Sequence, residues 1–165
     1  MGASYKTQGT GPGKVYAFTR AGTTWAQSQA ITAPTAAGLR FGHAIAQSGS
    51  TMAIGSPLGK HPSSALTYTG VISLYTKGPG GMWQYKTALV PAETEIVQFD
   101  HFSTSIALDN GTLVVGAPGQ YIWGNGTNGK GKVWVFTGSQ ATWTETAYLS
   151  ALGHRPRSSR RPMPR

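Results

Sequence analysis

The sequence predicts an all-β chain, a partial β-propeller of tandem four-stranded antiparallel blades, and three observations predict it. The first is a recurring run of a glycine, an alternating apolar strand and a delayed tryptophan: GKVYAFTR from Gly13 with Trp25, GVISLYTK from Gly70 with Trp83, and GKVWVFTG from Gly131 with Trp143. The second is a phenylalanine, a short apolar stretch, a polar turn and a strand ending in Gly-x-Pro. It reads FGHAIAQSGSTMAIGSP from Phe41 and FSTSIALDNGTLVVGAP from Phe102. The third is phase. Phe41 and Phe102, Gly55 and Gly116, and Pro57 and Pro118 are each 61 residues apart, which chance explains poorly. Such a period argues for supersecondary units that bury their apolar faces only against their neighbours.

Taken in order, residues 1–12 are polar and glycine-rich and read as a lead-in loop. From Gly13 the apolar period is two: Val15 and Ala17, with Ile72, Leu74, Val133 and Val135 in the later copies, point to one face, and Tyr16, Ser73 and Trp134 to the other. AGTT, GPGG and GSQAT are turns, and the residues after each tryptophan alternate toward Ile31, Leu89 and Leu149, so each pair reads as a hairpin. AQSGST and LDNGT join the remaining strands, and Asn110-Gly111 is the strongest short hairpin signal in the chain. The expected organisation is a half unit at 13–31, a four-strand unit at 43–90, a second at 102–150 and a basic, disordered tail at 152–165. PTAAGL at 34–39 is too short for a stable helix and reads as a connector. Four short strands per unit, repeated radially, stack face to face around an axis and leave only short edges. Trp25, Trp83 and Trp143 are expected to fill the space between sheets, and Gly55 and Gly116 to allow a close backbone approach that a Cβ would obstruct.

Composition narrows the functional classes. Among 165 residues there are 23 glycines and 10 prolines, with only 12% charged residues and a formal net charge of +9. Arg155, Arg157, Arg160, Arg161 and Arg165 supply five of those charges near the C-terminus, and no segment interleaves Lys and Arg with aromatics, so specific nucleic-acid binding is not expected. The absence of cysteine excludes disulfides, thiol chemistry and thiolate metal sites. No stretch has the length of a membrane span, and MGASYKTQGTGPG lacks the apolar core of a secretory signal.

The pairing of FGHAIA with MAIGSP, and of FSTSIA with LVVGAP, resembles the FG-GAP repeat of the β-propeller in integrin α chains and in many bacterial and algal surface proteins. The bacterial form of the pattern is similar to almost all of residues 13–151, with Phe102-Ser103 departing from Phe-Gly and Ser56 from the usual Ala. The resemblance implies a ligand-binding or structural propeller, normally of seven blades, displayed outside the cell. Two and a half blades do not close such a ring, so self-association, or missing blades supplied by a longer chain, is expected. The implied function is a non-catalytic, extracellular-type module for a protein or carbohydrate ligand. The alternative is part of a propeller-fold enzyme such as a glycoside hydrolase or lyase.

No cofactor or metal site is expected. The loops after Gly-x-Pro, where integrin-type blades often hold Ca²⁺, contain no acidic residue, and Asn125, Thr127 and Asn128 offer only neutral oxygens. His43, His61, His101 and His154 lack ligand spacing. Asp100 and His101 are adjacent and point to opposite faces of an extended chain. Glu93 and Glu95 lie on a connecting segment that reads as a solvated loop rather than a carboxylate pair. GTGPG at 9–13 leads into a strand without a following Lys-Ser/Thr, so it is no phosphate cradle. The ligand-binding candidates are Tyr68, Tyr121 and Trp123, in long inter-strand loops at equivalent phase. They form an aromatic patch suited to sugar rings or a protein, unless Trp123 folds back over the core.

Overall fold

The computed structural model describes residues 2–3, 12–34, 38–62, 68–92, 101–119, 131–150 and 153–156. They form three antiparallel sheets in which chain order is spatial order. The first holds β1 (Gly2–Ala3), β2 (Lys14–Ala21) and β3 (Thr24–Thr32). The second holds β4 (Ala44–Ser48), β5 (Thr51–Ser56), β6 (Val71–Lys77) and β7 (Trp83–Leu89). The third holds β8 (Ser105–Asp109), β9 (Thr112–Ala117), β10 (Lys132–Ser139), β11 (Thr142–Ser150) and β12 (Gly153–Pro156). All of the strands expected between Gly13 and Ser150 form, and among the described residues no helix longer than a 3₁₀ turn at Pro79–Gly81 interrupts them.

The repeat extends to details of register. The hairpins β2–β3, β6–β7 and β10–β11 each carry an irregularity at the same place, at Ala17/Phe18, Leu74/Tyr75 and Val135/Phe136. Trp25 pairs with Arg20, Trp83 with Lys77 and Trp143 with Gly138, which are equivalent positions. Asn110 (φ 40°) and Gly111 (φ 76°) both take left-handed angles, as a two-residue hairpin turn of the primed type requires.

Two segments differ from their sequence reading. Within the lead-in, Gly2–Ala3 forms β1, and Gly2 pairs with Val15 as Gly55 pairs with Ile72 and Gly116 with Val133. β1 therefore occupies the place that β5 and β9 hold in their sheets. In the tail, read as disordered, Gly153–Pro156 forms β12 against β11, with His154 opposite Leu149. The cause is the same at both ends: a sheet edge presents unpaired N–H and C=O groups, and these recruit an adjoining extended segment whatever its side chains.

Side-chain alternation decides the packing. In the second sheet, Met52, Ile54, Val71, Tyr75 and Trp83 join Val15, Ile31 and Phe41 in a core shared with the first sheet. From the opposite face, Ala53, Ile72, Leu74 and Leu89 join Phe102, Leu113, Val115, Trp134 and Phe136 in a core shared with the third. The second sheet is thus buried on both faces, and β6 is buried along nearly its whole length. Trp83 and Trp143 pack on the core shared with the preceding sheet, at 7% exposure for Trp83. Trp25 fills no such space and is 63% exposed, because among the described residues no sheet precedes its own.

Two outcomes test this packing. At Gly70 (φ 91°) a Cβ would fall on the backbone of Phe102, whereas at Gly22 (φ 59°) it would meet nothing. Gly22→Ala should cost about 1–2 kcal/mol from the left-handed backbone alone, and Gly70→Ala well beyond that, as read from urea unfolding. Tyr75 is 3% exposed, with its ring 5.7 Å from that of Tyr85. Burial, and secondarily Tyr85, push its phenol well above the ordinary tyrosine range. The raised native value means that the unfolded chain gives up this proton first. Its contribution to stability is therefore complete below about pH 10 and is lost as pH rises past that unfolded value. Denaturation midpoints measured between pH 8 and pH 11 should fall less steeply in Tyr75→Phe than in the parent chain.

Candidate functional site

The sheets are fastened at a corner that opens each unit. Phe102 is fully buried, with its ring edge-on to Trp134 at 5.4 Å and near Phe136 at 6.0 Å. Its N–H donates to the Thr69 carbonyl at 2.9 Å. Ser103, also fully buried, takes φ 73°; its hydroxyl accepts the Ser56 N–H at 3.0 Å and donates to the Val71 carbonyl at 3.0 Å. Ser56 and Val71 are register partners of β5 and β6, so one hydroxyl from the third sheet ties two strands of the second. A Cβ on Gly55, the glycine of Gly-Ser-Pro, would meet the Ser103 carbonyl, so the corner approaches closer there than a side chain would allow. In the first copy, Gly42 (φ 85°) stands where Ser103 does, and its N–H donates to the Gly55 carbonyl at 3.1 Å.

Other polar side chains extend the fastening. The Gln29 amide donates to the Trp83 carbonyl at 2.9 Å and accepts the Trp83 N–H at 2.7 Å, linking the first sheet to the second. Ser48 donates to Asp109 at 3.4 Å and accepts the Asn110 N–H at 3.3 Å, linking the second to the third. Glu145 accepts the Ala92 N–H at 3.1 Å. The acids Asp109 and Glu145 are therefore engaged in holding backbone and neighbouring side chains.

Of the ligand-binding candidates, Tyr68 is 38% exposed on a left-handed backbone (φ 57°), while Tyr121 and Trp123 lie outside the described residues. So do Asn125, Thr127 and Asn128, the pair Glu93 and Glu95, and Asp100. Among the described residues no group of three or more His, Asp or Glu is placed to hold a metal. Nor is any helix there long and apolar enough to cross a membrane.

Two concave surfaces stand out. A cleft of about 550 Å³ between the first and second sheets is walled by Val15, Ala17, Ile45, Met52, Lys77 and Trp83, with the Lys77 ammonium 5.5 Å from the Trp83 ring centroid. A groove of about 450 Å³ lies on the outer face of the third sheet, along Gly116, Pro118, Gly131, Val133 and Leu149. Pro57 is buried and Pro118 exposed although they are equivalent, because the next sheet covers the first and not the second.

A corner that clamps consecutive sheets at a fixed phase is the feature that a family comparison must explain. Residues 87–136 match the family model of the FG-GAP repeat. The match begins within β7, crosses the Phe102–Ser103 corner and ends within β10, so the matched repeat straddles two sheets and includes the clamp. FG-GAP repeats are generally extracellular-type domains and suggest a β-propeller-type binding or structural module. No curated protein matches the chain.

Sequence reasoning missed the roles of Ser103 and Gln29. The signal for Ser103 was present: the departure from Phe-Gly put a hydroxyl where the other copy needs a left-handed glycine. Ser103→Ala should cost about 2–3 kcal/mol, because Ser56 N–H and Val71 C=O lose their partner inside the core. Ser103→Gly loses the same bonds but relieves a left-handed backbone worth about 1 kcal/mol. Urea denaturation should therefore rank the parent above Ser103→Gly and Ser103→Gly above Ser103→Ala; equal values for the two variants would remove strain from the account.

Proposed function

We propose that the chain is a non-catalytic binding or structural module of the extracellular type, which takes a protein partner on the outer faces of its end sheets. The observation that carries this reading is a match of positions. Ala53, Ile72, Leu74 and Leu89 form the surface on which the second sheet receives the third. Val114, Val133, Val135 and Leu149 hold the equivalent positions on the third sheet, where Val114 is 36% and Leu149 44% exposed. On the first sheet, Tyr16 and Phe18 hold the positions from which Trp134 and Phe136 enter the core between the second and third sheets. Apolar faces of this kind mark protein interaction sites rather than solvated surface. Engagement of Asp109 and Glu145 in sheet contacts supports a non-catalytic role.

The receiving face at one end and the aromatic positions at the other make the chain complementary to a second copy, head to tail, which is a heterologous contact. The net charge of +9 opposes that contact, so salt strengthens it. Sedimentation velocity should give a mass above 17.4 kDa that rises with protein concentration and with salt. Val135→Lys should shift the distribution toward monomer. A monomer at every concentration, with or without added salt, would contradict the reading.

A further inference from the structure

We propose that the groove along Gly116, Gly131, Val133 and Leu149 is a receptor for a phenylalanine side chain, presented by the Phe-Ser or Phe-Gly corner of a further blade of this repeat. The proposal rests on the reading of the third sheet's outer face as a binding surface and names its ligand chemistry. Its basis is that the same site occurs three times in the chain and is filled twice from within. Between the first and second sheets, Phe41 packs in one core with Val15 and Ile31. Between the second and third, Phe102 packs in one core with Ile72 and Leu89, the residues equivalent to Val15 and Ile31. Val133 and Leu149 are the third such pair, opposite each other on β10 and β11, and they line the groove.

Exposure marks the difference between the filled sites and the open one. Ile31 is 5% and Leu89 9% exposed, against 44% for Leu149. The glycines repeat the contrast. A Cβ on Gly55 or Gly70 would collide with the Phe102–Ser103 corner of the next sheet. At the equivalent Gly116 and Gly131, the nearest atoms belong to the third sheet itself: Ser105 in one case, and the carbonyls of Ala117 and Pro118 in the other. Among the described residues, nothing fills in the third sheet the space that the corner occupies in the second. Ala117 and Lys132 are register partners at the position where Ser56 and Val71 hold the Ser103 hydroxyl. In the first sheet, Phe18 has the position of Phe136, a strand residue, so a second copy docked by that sheet does not bring a corner phenylalanine to the groove.

The probe is the chain's own corner as a blocked synthetic peptide, residues 100–107 (DHFSTSIA), titrated into the full chain and followed through amide chemical shifts. Saturable shifts are expected at Gly116, Gly131 and Leu149. Replacing Phe102 by Ala in the peptide should weaken binding at least about tenfold, the loss typical of an anchoring aromatic. Leu149→Lys in the full chain, at an exposed position whose circular dichroism should be unchanged, should weaken it to a similar extent. Unmoved amides at millimolar peptide, or equal binding by the Phe102→Ala peptide, would overturn the proposal. Self-association that Val135→Lys abolishes, in a chain that ignores the peptide, would leave the module reading intact and remove this ligand alone. Peptide binding by a strictly monomeric chain would do the reverse.

Discussion

Everything in this structure depends on how closely the Phe102–Ser103 backbone can approach β5 and β6. That approach places the corner's carbonyls where the Cβ atoms of Gly55 and Gly70 would otherwise be, and inserts one serine hydroxyl between two strands of the neighbouring sheet. With the corner held there, the Phe102 ring is delivered to the middle of the core and meets Trp134 edge-on. The sheets then share a closely packed apolar interface, in which burial of a single phenylalanine contributes about 1.5–3 kcal/mol. A corner set back by one Cβ would separate the sheets and open voids that a packed interior does not tolerate.

From this constraint follows the distribution of polar groups. Side chains of one unit cap the backbone of the next. Ser103, Gln29 and Glu145 each hold a backbone group across a gap, and Ser48 couples to Asp109 at the equivalent position one repeat later. A chain with only five acidic residues that commits two of them to such contacts is built for fastening.

A stack also has ends. The second sheet is buried on both faces because it has a neighbour on each side. The first and third repeat its surface residues with, among the described residues, a sheet on one side only. The pairs Gly55 and Gly116, Pro57 and Pro118, and Leu89 and Leu149 are alike in sequence and register and unlike in exposure. Position in the stack decides exposure: the residues that make a core in the middle lie on an exposed face at the end.

The strands between Gly13 and Ser150, the two faces of each and the close approach at Gly55 were legible in the sequence, because each is a local or periodic property. A strand's two faces follow from alternation, and a repeat at fixed phase reports the same packing each time. What tertiary structure decided is of another kind. Whether Trp25 or Trp83 is covered, whether Leu149 is core or surface, and what Ser103 does with its hydroxyl depend on which neighbour stands opposite. The strands β1 and β12 were likewise illegible, since Gly2–Ala3 and Gly153–Pro156 carry no strand pattern and are held by the open backbone edges of β2 and β11. Periodicity records how a segment relates to its own sheet; burial, clamping and edge pairing are relations between sheets or with an edge, and a single chain of letters does not carry their partners.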